Sequence, residues 1–225
     1  MPMLAKTLYF LIVSKTEIIP TDAQLVKINE IGECLGSGTM NVFGPQWAGK
    51  DTNLEPFSKI YNVPIIGGGD ILRNSEIPAH IKVIMESGEL IPSEDYKEIV
   101  LPYLGQPAFE GKPLLLSSVG RMIGEEQGVL QATEAAGHPT TLAVQFNITR
   151  EESFRRFETS PGRNRADDTA EALTTRLDFY EKYTLPTMDV YEDLGLLIKV
   201  DAMPEISVVF NSFVNQTHDR LTGKG

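Results

Sequence analysis

Five short, mostly apolar runs recur along the chain, at 40–43, 62–66, 112–116, 140–147 and 196–200, and each is followed by a stretch with helical spacing. Runs of this length bounded by turn signals suit strands buried on both faces, and apolar residues every third or fourth position suit amphipathic helices. The alternation predicts right-handed crossovers and a five-stranded parallel sheet flanked by helices, an α/β fold. Helices are expected over 51–61, in short pieces over 74–104, and over 124–136, 149–157 and 207–213. Another should open at Asp167-Asp168, with Glu171 at the capping-box distance, and bury Leu173, Leu177 and Tyr180.

A separate pattern precedes the first of these units. Thr7 to Val13 reads as a strand, and Pro20 to Gln24 as a helix start in which Thr21 caps and Gln24 reaches back. Leu25, Ile28, Ile31 and Leu35 would share one face of that helix until Gly36-Ser37-Gly38 ends it. Residues 1–39 are therefore expected to form an N-terminal extension, a strand plus an amphipathic helix, laid on a main domain at 40–225.

Composition narrows the possible partners. With 225 residues, 41% hydrophobic and 23% charged, the chain suits one α/β domain with a real core. Its net charge of -11 argues against a broad basic surface for nucleic acid, so any bound anion must be held by a local cluster. Such a cluster exists: Arg150, Arg155, Arg156, Arg163, Arg165 and Arg176 fall close together with no lysine among them. Arginines alone favour bidentate phosphate binding over a solvated charged face. The lone Cys34 excludes an internal disulfide and a cysteine-based metal site, and fits a reducing compartment, with the cytoplasm expected. Leu8 to Val13 is too short for a signal-peptide core or a membrane span. His80, His138 and His218 are scattered and suggest no metal site.

The most specific stretch is Gly44-Pro45-Gln46-Trp47-Ala48-Gly49-Lys50-Asp51-Thr52, which falls at a strand-to-helix turn. It reads as a phosphate-binding loop, in which glycines turn backbone amides inward and the helix N-terminus favours an anion. Lys50 would reach the outer phosphates as a mobile point charge. A hydroxyl usually follows such a lysine, but here Asp51 follows and the hydroxyl comes one later, as Thr52. A carboxylate beside a triphosphate is repulsive unless it turns away or contacts a metal-bound water. Trp47 reads as a packing residue able to flank the donor nucleotide. Further on, Gly67-Gly68-Gly69 would let a ligand approach the backbone, with Arg73 close behind, and Arg121 sits past the end of the third strand.

The ordered set of this loop, Gly69-Asp70-Ile71-Leu72-Arg73, Gly88-Glu89-Leu90-Ile91-Pro92, Arg121, Gly162-Arg163-Asn164-Arg165-Ala166-Asp167-Asp168 and Arg176 resembles the adenylate kinase family of nucleoside monophosphate kinases, from about residue 40 to 214. The resemblance implies a P-loop NTPase fold with a small acceptor-binding insertion at about 70–104 and a short lid at about 157–166, without a zinc-binding insert. It implies a monomer that transfers a phosphoryl group reversibly from Mg²⁺-ATP to AMP. By the same resemblance, Gly44, Trp47, Ala48, Gly49, Lys50, Asp51 and Thr52 would hold ATP together with Arg156 and Arg163. Gly68, Arg73, Ile91, Arg121, Arg165 and Arg176 would hold AMP. Gln127 is the candidate for reading adenine, about two residues later than relatives place it. Catalysis would fall to Lys50, Arg121, Arg156, Arg165 and Arg176, with Arg163 competing with Arg165 for one role.

Several departures bear on the acceptor. The family commonly carries Asp-Gly-x-Pro-Arg after the third strand, and this chain has Ser117-Ser118-Val119-Gly120-Arg121. Magnesium would be held through phosphates and waters, and with Ser117 in place of the aspartate, Asp70 and Asp51 are left to organise those waters. Gly120 is expected to supply the unusual backbone that proline would have fixed. UMP, CMP or another small phosphate is the first alternative acceptor. A nucleotide-binding regulatory protein that has lost catalysis is the rival of a different class.

Overall fold

A computed structural model describes residues 17–69, 71, 75–87, 92–159 and 169–224. Five parallel strands form one sheet: β1 (Thr39–Phe43), β2 (Ile65–Gly67), β3 (Leu114–Ser117), β4 (Thr140–Asn147) and β5 (Leu197–Asp201). Their order is β2-β3-β1-β4-β5, so β1 is central, and all five of its residues are buried. The expected five-stranded parallel α/β architecture is therefore present. Boundaries move by one to three residues: the second strand begins at Ile65, after the turn at Pro64, and the third and fifth each run one residue further than expected.

Side chains alternate across a strand, and this period of two sorts the core into layers. On one face Met40, Val42, Leu115, Val144 and Phe146 meet α1 (Asp22–Leu35), α2 (Lys50–Tyr61) and α9 (Ile206–Thr222), which supply Ile28, Ile31, Leu54, Phe57, Phe210 and Phe213. On the other, Ile66, Leu114 and Leu116 meet α3 (Ala79–Ser87), α4 (Ser93–Leu104) and α5 (Glu125–Ala135). Phe43 and Ala143 of that second face lie under Met188 and Tyr191 of α8 (Thr187–Asp193).

Helix α1 carries the expected capping box: the Thr21 hydroxyl accepts from the Gln24 amide at 3.3 Å, and the Gln24 side chain accepts from the Thr21 amide at 2.9 Å. Its Ile28, Ile31 and Leu35 are buried in the first core, whereas Leu25 is half-buried. Lys27 donates to Asn215 and Gln24 to Asn211, so polar pairs border the apolar seam against α9. The strand read at 7–13 lies outside the described residues.

Beyond β4 come α6 (Arg150–Thr159) and α7 (Ala170–Phe179), the latter continuing into a π-helical turn at Tyr180–Thr184. The expected start of α7 is corrected here. Asp167 and Asp168 lie outside the described residues, and the cap is Thr169, whose hydroxyl accepts from the Ala172 amide at 3.1 Å. Leu173 and Leu177 are buried as expected, while Tyr180 falls in the π turn and is half-buried.

Candidate active site

In an open parallel sheet, ligands bind beyond the carboxyl ends of the strands, and here those ends carry the loop at Gly44–Gly49, the turn at Ser118–Gly124, the start of α6 and the turn after β5. The loop at Gly44–Gly49 leaves β1 and delivers Lys50 as the first residue of α2. Gly49 takes φ 83°, the left-handed region open to glycine, as it caps the helix. Trp47 takes φ 67° without that freedom, which costs roughly 1–2 kcal/mol. The loop is held in this conformation from outside. Ser153 of α6 donates to the Gln46 carbonyl at 2.9 Å, and the Trp47 ring meets Phe157 edge-on at 5.8 Å between centroids. Lys50 Nζ lies over the loop, donating to the carbonyls of Gly44 at 2.7 Å and Pro45 at 3.0 Å.

Arg156 binds three segments together. Its Nη1 donates to the Trp47 carbonyl at 3.2 Å, its Nη2 to the Ala202 carbonyl at 2.6 Å beyond β5, and its Nε to Glu152 at 2.6 Å. Glu152 also accepts two bonds from Arg155, each 2.6 Å. Hydrogen bonds from Arg155 first, and then from Arg156, hold the Glu152 carboxyl down at about 2. This buried carboxylate was missed in the sequence, although it stands three and four residues before the two arginines, the spacing at which helical side chains meet. Arg150 pairs with Asp178 at 2.7 Å and Glu181 at 3.3 Å, a tie between α6 and the α7 region. Arg150 and Arg155 are thus engaged in ion pairs within the fold.

The turn after β3 is fixed by a buried residue of the central strand. Asn41 Nδ2 donates to the Val119 carbonyl at 2.8 Å, and the Val119 amide donates back to Asn41 Oδ1 at 3.4 Å. Ser118 takes φ 55° and Gly120 φ 69°. Gly120 therefore does not imitate the proline of relatives, whose ring fixes φ near −65°. A Cβ at Gly120 would also stand 2.5 Å from the Val129 Cγ2 atom. Arg121 emerges exposed from this turn with its guanidinium carbon 5.2 Å from the Phe179 ring centroid, a cation–π contact to α7. Arg176 lies one turn before Phe179 on the same helix, half-buried. Between the two loops, Ser117 Oγ donates to Asp51 Oδ1 at 2.8 Å.

The structure treats the remaining expected residues unequally. Ala48 is buried in the first core, Thr52 sits half-buried in the first turn of α2, and Gly68 follows β2. Gln127 is exposed and faces a hollow between α5 and α8 with Leu130, Val190 and Leu194, not the phosphate loop. The carboxyl beside Arg121 belongs to Glu125, which is 5% exposed. It accepts from the Met122 amide at 3.2 Å, and burial pushes it up to about 7 against the pull of that bond and of the Arg121 charge. Asp70, Arg73, Ile91, Arg163 and Arg165 lie outside the described residues.

Loop, sheet order and arginine-bearing turns define a class, the P-loop α/β proteins that bind nucleotide phosphates. No protein-family model matches the sequence. Individual proteins do. An adenylate kinase of Leifsonia xyli is 28% identical over 196 residues, covering 83% of this chain and 98% of that protein. One from Methanosarcina acetivorans is 28% identical over 205 residues, 76% of this chain and 95% of the relative, and one from Mycobacteroides abscessus is 29% identical over 175 residues, 75% and 93%. The resemblance read from the motifs is thus borne out: the chain is similar to adenylate kinases over most of its length. These relatives support a nucleoside monophosphate kinase. Among the described residues no helix is long and apolar enough to cross a membrane.

Proposed function

We propose that this protein transfers a phosphoryl group reversibly from Mg²⁺-ATP to AMP, giving two molecules of ADP, as a monomer in the cytoplasm. The observation that carries the reading is the convergence of other strand ends on the loop and the helix it opens. Ser153 and Arg156 beyond β4 donate to the Gln46 and Trp47 carbonyls, Arg156 is tied in turn to the Ala202 carbonyl beyond β5, and Ser117 at the end of β3 donates to Asp51 in the first turn of α2. Phosphoryl transfer asks little covalent chemistry of a protein, and its rate comes from alignment and neutralisation of charge on the transferring oxygens. Lys50 would leave its two loop carbonyls for the donor's outer phosphates. Arg156, already bound to the loop, would hold α6 over the donor. Arg121 would grip the acceptor phosphate, and Arg176 on α7 would close towards it. Magnesium, when bound with the nucleotide, neutralises charge on the phosphate oxygens. The acidic and hydroxyl oxygens of Asp51, Thr52 and Ser117 at the loop suit that hard cation.

The test is ADP formation from ATP with AMP, UMP or CMP at fixed ATP. AMP should be the preferred acceptor, and Arg121→Ala should lower turnover by about a thousandfold. A preference for UMP or CMP would move the acceptor and keep the reaction. Near-normal turnover in Arg121→Ala would remove that residue from the site. The Ser117 departure favours one second reading, a nucleotide-binding regulator, whose signature is tight ATP binding with no ADP formed.

A further inference from the structure

Asp51 places a carboxylate at a position where the proposed ligand is also an anion. It is exposed, directly follows Lys50, and lies in the first turn of α2, the end of the helix that attracts negative charge. Left to itself, it would compete with the nucleotide's phosphates for the same field. A neutral side chain there would bind metal-free nucleotide better, so the carboxylate gains a purpose only when a cation arrives with the phosphates.

We infer that Asp51 is the carboxylate that organises the waters of the nucleotide's magnesium, and that Ser117 is the positioning residue that aims it. The inference rests on the phosphotransferase reading above and deepens it. Pairing of Val42 with Ser117 brings the end of β3 beside the strand that feeds the loop. The Ser117 hydroxyl then donates to Asp51 Oδ1 across 66 residues of sequence. A carboxylate offers about four acceptor sites, and this bond occupies one while fixing the direction of the others. Magnesium retains several waters and is commonly held through one or two carboxylates plus substrate phosphates, so acceptors aimed at its waters are what the site requires.

Acids at the other strand ends in the described structure are engaged by the amides of their own turns. Glu125 accepts from the Met122 amide, Glu126 from the Gly124 amide at 2.7 Å, and Asp201 from the Met203 amide at 3.0 Å. The carboxylate has in effect moved from the tip of β3 to the first turn of α2, with a serine left behind to hold it. Asp70, outside the described residues, is the rival for this task.

The test is calorimetric titration of the full-length chain with ATP in excess Mg²⁺ and again in EDTA, taking the ratio of the two dissociation constants. In the wild type, Mg²⁺-ATP should bind more tightly. Asp51→Asn should reduce that ratio by about 10- to 100-fold, weakening the Mg²⁺ complex and tightening metal-free ATP. Opposite changes in the two constants cannot come from simple loss of structure. Ser117→Ala, which keeps the carboxylate, should lower the ratio by a smaller factor, and Ser117→Thr should restore it. An unchanged ratio in Asp51→Asn, or loss of the magnesium dependence in Asp70→Asn alone, would overturn the inference while leaving the phosphotransferase reading intact. Failure of the wild type to bind ATP in either buffer would overturn both.

Discussion

On the flank where α1, α2 and α9 meet, Phe57, Phe146, Phe210 and Phe213 are buried with ring centroids 5.1 to 6.3 Å apart, and Ile28 and Ile31 close the layer. At the carboxyl edge of the same sheet, Trp47 and Ser118 take left-handed backbones, Glu125 is buried as an acid, and carbonyls of the loop are used by Lys50 and Arg156. The flank gains from apolar burial, and the edge holds conformations and charges that cost free energy locally. Strained residues persist when their surroundings over-determine them. Here Asn41, Ser153 and Arg156 do so, each anchored in an element of the rigid sheet and helices.

Three substitutions sharpen this contrast, taken from the largest effect down. Phe213→Ala removes a fully buried ring from the flank and should lower unfolding stability by about 3–5 kcal/mol, measured by denaturant unfolding. Nucleotide affinity of the folded fraction should not change, and a large loss would mean that flank and edge are coupled.

Glu125→Gln acts at the edge and in the opposite sense. Its carboxyl is raised from 4.5 to about 7, so the folded chain binds more protons than the unfolded chain between those values. This contribution to stability therefore falls as pH rises through that window and levels off above it. The amide should make the protein more stable at pH 8 by up to about 3 kcal/mol and remove this part of the pH slope, as read by unfolding at pH 5 and pH 8. A variant less stable than the wild type at pH 8 would show that the charge is held by partners strong enough to offset its burial.

Thr169→Ala removes the cap of the helix that carries Arg176 and should cost about 1 kcal/mol. Thermal unfolding would show the loss, and ADP formation would show whether local fraying at the start of α7 reaches the site. A stability unchanged within error would mean that the cap contributes nothing.

Elements with a single dominant cause were legible in the sequence. Strand β4, a run of eight with a turn on each side, was placed to the residue, and the Thr21–Gln24 capping box was read from its spacing. The phosphate loop was legible because few backbones need two glycines and a lysine so arranged. What the sequence concealed depends on contacts between distant segments. Ser117 looked like the loss of an acid, and only the pairing of β3 with β1 shows it beside Asp51. Gly120 looked like a substitute for proline, and the crowding against Val129 shows why glycine stands there. The resemblance points to Gln127 for reading adenine, but Gln127 faces the hollow beside α8, and it is the buried Glu125 carboxyl that engages the turn into α5 and feels the Arg121 charge. The arginine cluster reads as one group in the sequence, whereas the fold divides its described members between α6 and α7 and assigns Arg150 to ion pairing.

Trp47 is the chain's single tryptophan, and it stands in the phosphate loop against Phe157 of α6. The protein's indole emission therefore comes from one ring, at the point where the loop meets α6. Any shift of Phe157 against that ring alters the signal without a label, so rapid-mixing fluorescence can follow α6 against the loop on its own timescale.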